Sequence, residues 1–288
     1  MRHPEAYGLA PTRWTLKLIL KVCNWLKLKS LPGMYQLLKR LKIHRKRGRG
    51  HLHSPDNAYV EKLRHIWGLI RIVRPDVADS VLLFADEMGF RRQPSLSYDY
   101  LQAGQQQPLA ELGHRSNAEW RIAAALNAWT GQVTYASRAH FSVKLLVDFF
   151  VQLVATYPDA PQIYLVVDNW PVHFHPDVLA ALQPQSLPFP LHNPSNWPTQ
   201  PAPKARRLNL PIQLVQLPTY SPWANPIEKL WLLLRKEVLH LHRFEDHWSD
   251  LKLRVSQELD FYAHPSPDLL RFVGLRNPLR LYRALFGT

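Results

Sequence analysis

The sequence predicts an α/β fold, a mixed sheet flanked by helices, that follows a small all-α region. Short apolar runs with β-branched members are typical of buried strands, and segments with helical spacing separate them, in the order β-β-β-α-β-α-β-α. Ahead of these elements, the first 50 residues show helical spacing alone and a concentration of basic side chains. With 288 residues and 46% apolar composition, the chain can bury a core in one large domain or two ordinary ones.

The first region contains two predicted helices joined by a tight turn. Apolar residues fall on one helical face between Trp14 and Lys27, where Thr15 can cap the helix. The segment Ser30–Gly33 interrupts this pattern, with Pro32 positioned to start the next helix. Apolar residues from Met34 to Leu41 then mark a second amphipathic helix that ends near Lys42. The arrangement fits a helix-turn-helix, although many helical hairpins bind no DNA.

Basic charge is concentrated in the same region. Residues 1–50 hold thirteen Lys or Arg against one acid, whereas the rest of the chain is nearly balanced, with 23 basic and 21 acidic groups. Such a segment beside a neutral body is typical of binding to a polyanion, and the alternative is a solvated basic tail. The predicted phosphate contacts on the second helix and the following arm are Lys39, Arg40, Arg45, Lys46, Arg47 and Arg49.

The rest of the chain is predicted to form the sheet and its helices. The predicted strands span residues 81–86, 121–127, 132–136, 163–168 and 212–217. The predicted helices span residues 58–72, 142–156, 176–182, 227–240, 250–262 and 268–273. Three meandering strands followed by alternating helices and strands match the ribonuclease-H-like plan. The predicted parts are therefore a DNA-binding region (1–50), a linker helix (51–78), a ribonuclease-H-like domain (79–245) with a proline-rich insert (183–209), and a helical tail (246–288).

Three acids stand at positions that favour a metal site. Asp86 and Asp168 each follow an apolar run, where open α/β sheets bind their ligands, and Glu228 lies in the first turn of a helix. If the fold brings them together, their oxygens suit two Mg²⁺ or Mn²⁺ ions, the equipment for breaking and joining phosphodiesters. Taken singly, each has a structural explanation as a turn residue or as an acid at a helix amino terminus.

Three neighbouring polar residues, Glu87, Asn169 and His173, are predicted to support the acids, and each also has a structural explanation. Glu87 is expected on the opposite strand face from Asp86, where it supports the site or only the fold. Asn169 either orients a water molecule or contacts DNA, or it forms an Asx turn. His173 either contacts a substrate phosphate or is a surface or capping histidine. Trp231 is most simply explained as a core residue.

Three motifs together resemble those of the DDE transposases of the mariner-like superfamily, with the bacterial insertion-sequence-630 family as the nearest branch. The motifs are Asp86-Glu-x-Gly, Asp168-Asn-x-x-x-His173 and Ser221-Pro-x-x-Asn-Pro-Ile-Glu228-x-x-Trp231. The resemblance implies a catalytic domain that uses Asp86, Asp168 and Glu228 with Mg²⁺ or Mn²⁺. It also implies cleavage at the terminal inverted repeats of an element and attack of the freed 3′-hydroxyl on target DNA, usually at TA. Pairing of two element ends would favour a homodimer on double-stranded DNA.

The chain departs from that family pattern in two respects. Members usually begin with two helix-turn-helix units and only one is visible here, and the insert at 183–209 lengthens the spacing between Asp168 and Glu228. Two alternatives to a transposase therefore stay open. One is a catalytically inactive or truncated DNA-binding protein that represses transposition, and the other is a ribonuclease-H-like nuclease without strand transfer. The repressor would lack a convergent set of acids, whereas the nuclease would keep it.

Composition excludes several other classes of protein. The single Cys23 excludes a disulfide framework and a cysteine-based zinc site. No apolar stretch approaches the ~18 residues needed to span a bilayer, and no secretion signal opens the chain. We therefore expect a cytoplasmic protein with no membrane partner, and the resemblance implies association with a bacterial nucleoid.

Overall fold

The computed structural model contains two compact units, Met1–Leu52 and His53–Thr288. The residues that it describes are 3–11, 13–45, 54–76, 79–102, 104, 107–191 and 193–285. Within these ranges, no helix has the length and apolar character required to traverse a lipid bilayer.

The first unit holds two short helices, α1 (Leu16–Val22) and α2 (Leu31–Arg40). The Thr15 hydroxyl accepts a hydrogen bond from a backbone amide in the first turn of α1, so the predicted cap is confirmed. Ser30 caps α2 in the same way. α1 is shorter than predicted because the chain tightens into a 3-10 turn at Asn24–Leu26.

The predicted DNA contacts of this unit are only partly within the described residues. Lys39 and Arg40 lie in the last turn of α2 with exposed side chains, and Arg45 is also exposed. Lys46, Arg47 and Arg49 lie outside the described residues. The exposed face of α2 therefore offers basic side chains, while Met34 on the same helix is fully buried.

The second unit is built on a mixed sheet. Its strands are β1 (Val81–Arg91), β2 (Glu119–Asn127), β3 (Val133–Arg138), β4 (Ile163–Val167) and β5 (Ile212–Gln216). They lie in the order β3-β2-β1-β4-β5. β2 pairs antiparallel with both β1 and β3, whereas β4 pairs parallel with both β1 and β5. This is the ribonuclease-H-like arrangement, and the predicted fold class is confirmed.

Helices cover both faces of this sheet. They are α3 (Tyr59–Ile72), α4 (Val143–Thr156), α5 (Pro176–Leu179), α6 (Glu228–Leu234), α7 (Trp248–Asp260), α8 (Pro267–Val273) and α9 (Pro278–Leu285). Side chains alternate across each strand, so Leu83 and Ala85 of β1 face the core formed with α4 and α5. Leu82 and Phe84 face the opposite core, which α3, α6, α7 and α8 complete.

β1 is longer than predicted. The sequence indicated an end at Asp86, but the strand continues to Arg91. Its parallel pairing with β4 does stop at Phe84, opposite Val166. Antiparallel pairing with β2 continues to Arg91 and satisfies the backbone beyond that point. Asp86 is therefore an internal residue of a paired strand and not a residue of a turn.

Two further helices end well before their predicted bounds, and one helix was not predicted. α5 ends at Leu179, before the predicted residue 182. α6 ends at Leu234, and a π-helical turn at Arg235–Leu239 occupies the rest of the predicted helix. α9 was not predicted, although Asn277 caps its first turn by accepting a hydrogen bond from the Arg280 amide.

The regions predicted as a linker and a tail contribute to the core of the second unit. Leu63, Ile66 and Ile70 of α3 are fully buried and belong to the same core as Leu251 and Leu259 of α7. Burying each of these side chains stabilises the fold by about 1.5–3 kcal/mol. The sheet therefore has its second apolar face covered by elements from both ends of this unit.

The proline-rich insert between β4 and β5 is closed at its base. The Gln183 amide donates to the Leu210 carbonyl at 2.9 Å, and the Leu210 amide donates to the Ala181 carbonyl at 3.0 Å. The Gln185 side chain accepts a further bond from the Leu214 amide of β5 at 2.8 Å. The insert thus leaves and rejoins the sheet at one point, and β4 and β5 remain direct neighbours.

Candidate active site

A cleft of about 510 Å³ opens where β1 and β4 stop pairing, and it is lined by acids from three separate segments. Asp86 comes from β1, Asp168 follows the last residue of β4, and Glu228 is the first residue of α6. The structure therefore brings the three predicted acids to one cleft. Its remaining lining residues are Asn169, Trp170, Leu217, Pro218, Thr219, Tyr220, Ser221, Pro222 and Asn225.

Asp86 lies on the sheet face that α6 covers. The buried indole N–H of Trp231 donates a hydrogen bond to Asp86 Oδ2 at 2.9 Å. Burial and then the nearby carboxylates of Glu228, Glu87 and Asp168 raise the pKa of Asp86 to about 7, against the effect of the Trp231 bond. A carboxyl group in this setting gains stability when a cation neutralises the negative charge around it.

Asp168 is held by its own turn and by a histidine. Its Oδ1 accepts a hydrogen bond from the Trp170 amide at 2.9 Å and lies 3.2 Å from His173 Nε2. Burial favours the neutral acid, but the hydrogen bond and charge of His173 outweigh it and lower the pKa of Asp168. Asp168 is thus ionised and half exposed towards the cleft.

His173 is buried and does not lie at the surface. It lies in a 3-10 turn after β4 with 1% of its surface exposed. Its Nε2 is 3.6 Å from Glu87 Oε2 as well as 3.2 Å from Asp168 Oδ1. Burial alone would lower the pKa of His173, but the two carboxylates reverse this and raise it to about 10. The interpretation of His173 as a surface histidine is therefore wrong, and its contact with a substrate phosphate remains a prediction.

Glu87 occupies the face of β1 opposite to Asp86. That face packs against the core of α4 and α5, and Glu87 reaches His173 there. Asn169 donates a hydrogen bond to the Leu217 carbonyl at 2.7 Å and so ties the end of β4 to the residue after β5. The roles of both residues in the site remain predictions.

Glu228 is presented by a short, well-anchored helix start. Its backbone amide donates to the Asn225 carbonyl at 3.2 Å. Burial raises the pKa of Glu228, the positive charge of Arg235 lowers it, and the charge of Asp168 raises it further, with a net increase. The insert at 183–209 does not displace Glu228, which lines the same cleft as the two aspartates.

Two residues gain a significance that the sequence did not reveal. Trp231 is core, as predicted, with 1% exposure, but it is also the hydrogen-bond donor to Asp86. Asn225 is 4% exposed, and its amide nitrogen donates to the Ala85 carbonyl at 3.2 Å. The only indication in the sequence was chemical: an indole N–H or a side-chain amide that becomes buried requires a hydrogen-bond partner.

The donor set of the cleft fits a hard divalent cation. The cleft offers carboxylate oxygens from Asp86, Asp168 and Glu228, and Mg²⁺ and Mn²⁺ prefer oxygen ligands. Among the described residues, Asn225 Oδ1 is a buried acceptor without a donor, a further oxygen beside these acids. A second grouping joins Glu87, Asp168 and His173, whose ligand atoms lie within 4.8 Å of one another.

Comparison with known proteins assigns the chain to a family. The sequence model of the family described as "DDE superfamily endonuclease" matches residues 81–252. The chain belongs to this family. The match covers the five described strands and all three acids of the cleft.

One curated relative and several solved structures of the DDE group are similar to the chain. The relative is the "Insertion element IS630 uncharacterized 39 kDa protein" of Shigella sonnei, 27% identical over 175 residues. The alignment covers 61% of this chain and 43% of the relative, so the chain matches less than half of that protein.

The similar structures are those of the Mos1 mariner transposase. Its paired-end complex with Mn has a TM-score of 0.61 at 15% identity, and that with Mg has 0.59 at 14% identity. Both alignments cover 98% of this chain and 81% of the Mos1 chain. At this identity the likeness establishes the fold. Together with the family and the relative, it confirms the resemblance to the DDE transposases of the mariner and insertion-sequence-630 group.

Proposed function

We propose that this DDE endonuclease is a transposase that cleaves DNA at the ends of an insertion element and joins them to target DNA. The observation that carries the proposal is the convergence of Asp86, Asp168 and Glu228 on one cleft. These residues come from β1, the end of β4 and the start of α6, so only the folded chain brings them together.

The three acids would hold two Mg²⁺ or Mn²⁺ ions. Asp86 from β1, Asp168 after β4 and Glu228 on α6 would supply the carboxylate oxygens for these ions. When bound, such ions stabilise charge on the attacking and leaving oxygens of a phosphodiester. The chain's part is to hold the acids: the Trp231 bond fixes Asp86, and the amide of Trp170 and the ring of His173 fix Asp168. The Mos1 complexes with Mn and Mg support this choice of metal.

Double-stranded DNA is the proposed partner. Lys39 and Arg40 on α2, with Arg45 and the arm that follows, would contact phosphates of the terminal inverted repeats. The similar Mos1 structures are paired-end and strand-transfer complexes with transposon DNA, which supports DNA binding and a homodimer on paired ends. The same proposal implies that the chain acts on the DNA of a bacterial nucleoid.

The alternatives differ in what they need from the cleft. A repressor that only occupies repeat ends needs the basic residues and no acids, so the complete set of three acids favours the enzyme. A nuclease without strand transfer needs the same acids, and only its products distinguish it from a transposase.

The test is metal-dependent cleavage of a labelled duplex that carries the ends of the element. We expect Asp86→Asn to reduce cleavage at least about 100-fold, because losing even an outer partner of a metal ligand costs about 10–100-fold. DNA binding, measured by fluorescence anisotropy, should stay within about twofold, since the proposed phosphate contacts lie in residues 1–50. Joined products in a plasmid would establish strand transfer.

The matched control is Asp159→Asn, which removes an exposed carboxylate at the opposite end of β4 from Asp168. It should leave cleavage unchanged. Binding without cleavage by the wild-type chain, with either metal, would favour the repressor. Cleavage without joined products would favour the nuclease.

A further inference from the structure

The segment that carries Glu228 holds β1 at two consecutive residues. Asn225 Nδ2 donates to the Ala85 carbonyl at 3.2 Å, and Trp231 Nε1 donates to Asp86 Oδ2 at 2.9 Å. Glu228 lies midway between the two donors along the chain. We propose that Asn225 and Trp231 are positioning residues that set Glu228 against Asp86, so that both acids can bind the same pair of cations. This inference rests on the proposed function of the cleft.

Asn225 provides the first of the two contacts. The parallel pairing of β1 with β4 ends at Phe84, and the Ala85 carbonyl is the next acceptor along the strand. Because a carbonyl oxygen only accepts, the amide nitrogen of Asn225 must face it, which fixes the orientation of the side chain. The backbone carbonyl of Asn225 also accepts from the Glu228 amide at 3.2 Å. One residue thus joins β1 to the first turn of α6.

Trp231 provides the second contact. Its side chain is 1% exposed, so the surrounding core fixes the ring and the direction of its N–H. The hydrogen bond holds one oxygen of Asp86 and so restricts the rotation of that carboxylate. Residues three apart on a helix lie on the same face, so Trp231 and Glu228 approach β1 from one side of α6.

A short path along the chain does not hold Asp86 and Glu228 together, because the two acids are far apart in the sequence. The hydrogen bonds join residues 140 and 145 positions apart, and the long insert lies between them in the chain. A metal site requires its ligands to be held within about 0.5 Å of the productive geometry. Non-covalent contacts must supply this precision, and these two bonds act on the residues nearest to both acids.

The first experiment measures Mn²⁺ binding to the full chain without DNA, by calorimetry, for the wild type, Trp231→Phe and Asn225→Ala. We expect the dissociation constant of each variant to rise about tenfold, the size typical of lost outer partners of metal ligands. The matched control for the tryptophan is Trp223→Phe, which removes an indole bond to the Tyr59 hydroxyl outside the cleft. The control for the asparagine is Asn117→Ala, which removes a bond from the Gln93 amide. Both controls should bind Mn²⁺ like the wild type.

The second experiment uses only the wild-type chain, so it does not depend on a variant that folds. We expect saturating Mg²⁺ to shift the assigned indole N–H resonance of Trp231 and to leave that of Trp223 in place. If the wild type binds Mn²⁺ and both variants bind it equally well, or if the Trp231 resonance does not move, the positioning inference is overturned and the proposed function stands. If the wild type shows no saturable binding of either ion, the proposed metal site itself is overturned.

Discussion

At the scale of the residue, His173 shows how the second unit accommodates a crowded group of acids. The carboxylates of Glu228, Glu87 and Asp168 raise the pKa of Asp86, and that of Asp168 raises the pKa of Glu228. The His173 ring is buried between two of them, with its Nε2 within 3.6 Å of both carboxylates. Burial opposes the charged form of the ring, but the two carboxylates raise the pKa of His173 to about 10, which favours the imidazolium at neutral pH. It lies between Asp168, which lines the cleft, and Glu87, which is on the face of β1 opposite to Asp86.

His173→Gln should therefore destabilise the second unit. The substitution leaves Glu87 and Asp168 facing each other without the cation, and loss of one partner of a buried ion pair costs about 3–5 kcal/mol. Since Asp168 is half exposed, we expect a decrease of about 2 kcal/mol in the free energy of unfolding, measured with urea.

A double variant separates the charge from the packing of the ring. In Glu87→Gln/His173→Gln both the cation and one of its carboxylates are absent. The loss of stability should then be smaller than the sum of the two single losses. Strict additivity would mean that His173 contributes only by filling space.

The sequence identified the three acids of the cleft but not the partners that hold them. Asp86, Asp168 and Glu228 stand beside recognisable strands or a helix start, so local pattern located them. The partner of His173 on β1 and the contact between Trp231 and Asp86 depend on which elements become neighbours in space. Local sequence pattern contains no such information, which is why His173 was expected near the surface.

At the scale of the element, the start of α3 is fastened to the loop that borders the cleft. Asp56 Oδ2 accepts from the Thr219 amide and from Lys62 Nζ, both at 2.8 Å. The Ser54 hydroxyl donates to the Thr219 carbonyl at 2.5 Å. The backbone N–H and the backbone carbonyl of Thr219 are thus both engaged, and Thr219 itself lines the cleft. This contact holds the loop that leads into α6.

Asp56→Ala should destabilise the second unit by about 3 kcal/mol, since it leaves the ammonium of Lys62 buried without its partner. The side chains of this pair are only 9% and 5% exposed. Urea unfolding is the measurement. The matched control is Asp76→Ala, which breaks a pair with Arg74 that is 62% and 42% exposed and should cost less than about 1 kcal/mol. Equal losses would contradict the effect of burial.

The same pair predicts a dependence of stability on pH. Burial opposes ionisation of Asp56, but its bonds with Lys62, Thr219 and Ala58 outweigh burial and lower its pKa below 3.8. A lowered pKa in the folded state adds stability above the unfolded value, and this stability is lost as the pH falls through the folded value. The wild type should therefore lose more stability between pH 5 and pH 2 than Asp56→Asn, a difference measurable by urea unfolding at each pH.

The bounds of helices and strands were predictable only where the apolar sequence pattern agrees with the hydrogen-bonded pairing in the fold. α4 and β2 begin and end within two residues of their predicted bounds because apolar periodicity marks them throughout. β1 extends beyond its prediction because Asp86 and Glu87 look like a strand end, whereas pairing with β2 continues to Arg91. The π-helical turn after α6 has no signature in the apolar spacing.

At the scale of the whole molecule, charge is distributed unevenly along the chain. The first 50 residues carry nearly all of the net charge of +14, whereas the rest of the chain is nearly neutral. Affinity for a polyanion is therefore expected from the first unit, which includes the basic arm, and chemistry from the second unit. The alternation of strands and helices was enough to predict the fold class, but the packing of α3 with α7 depended on contacts between the two ends of the unit.

Substituting Arg45, Lys46 and Arg47 by glutamine should weaken DNA binding and reduce its dependence on salt. Each lost phosphate contact lowers the slope of log K against log salt by about 0.9 on duplex DNA. Fluorescence anisotropy titrations at several salt concentrations measure this slope. An unchanged slope would mean that the arm makes no phosphate contact.

A second triple variant controls for the change in total charge. Lys236, Arg276 and Arg280 are exposed bases of the second unit, and their substitution by glutamine removes the same charge. We expect the salt slope of this variant to match that of the wild type. The slope depends on the number of DNA phosphates that basic side chains neutralise, and not on the net charge of the protein.

The closed base of the 183–209 insert makes this segment a natural site for protein engineering. Residues on either side of it are already hydrogen-bonded to each other, so the interior of the insert does not have to span any distance. A segment whose ends touch can be exchanged for a separate module without pulling the sheet strands apart. A fluorescent reporter grafted there would leave β4 and β5 paired. The acids that follow these strands in the chain would then keep their positions.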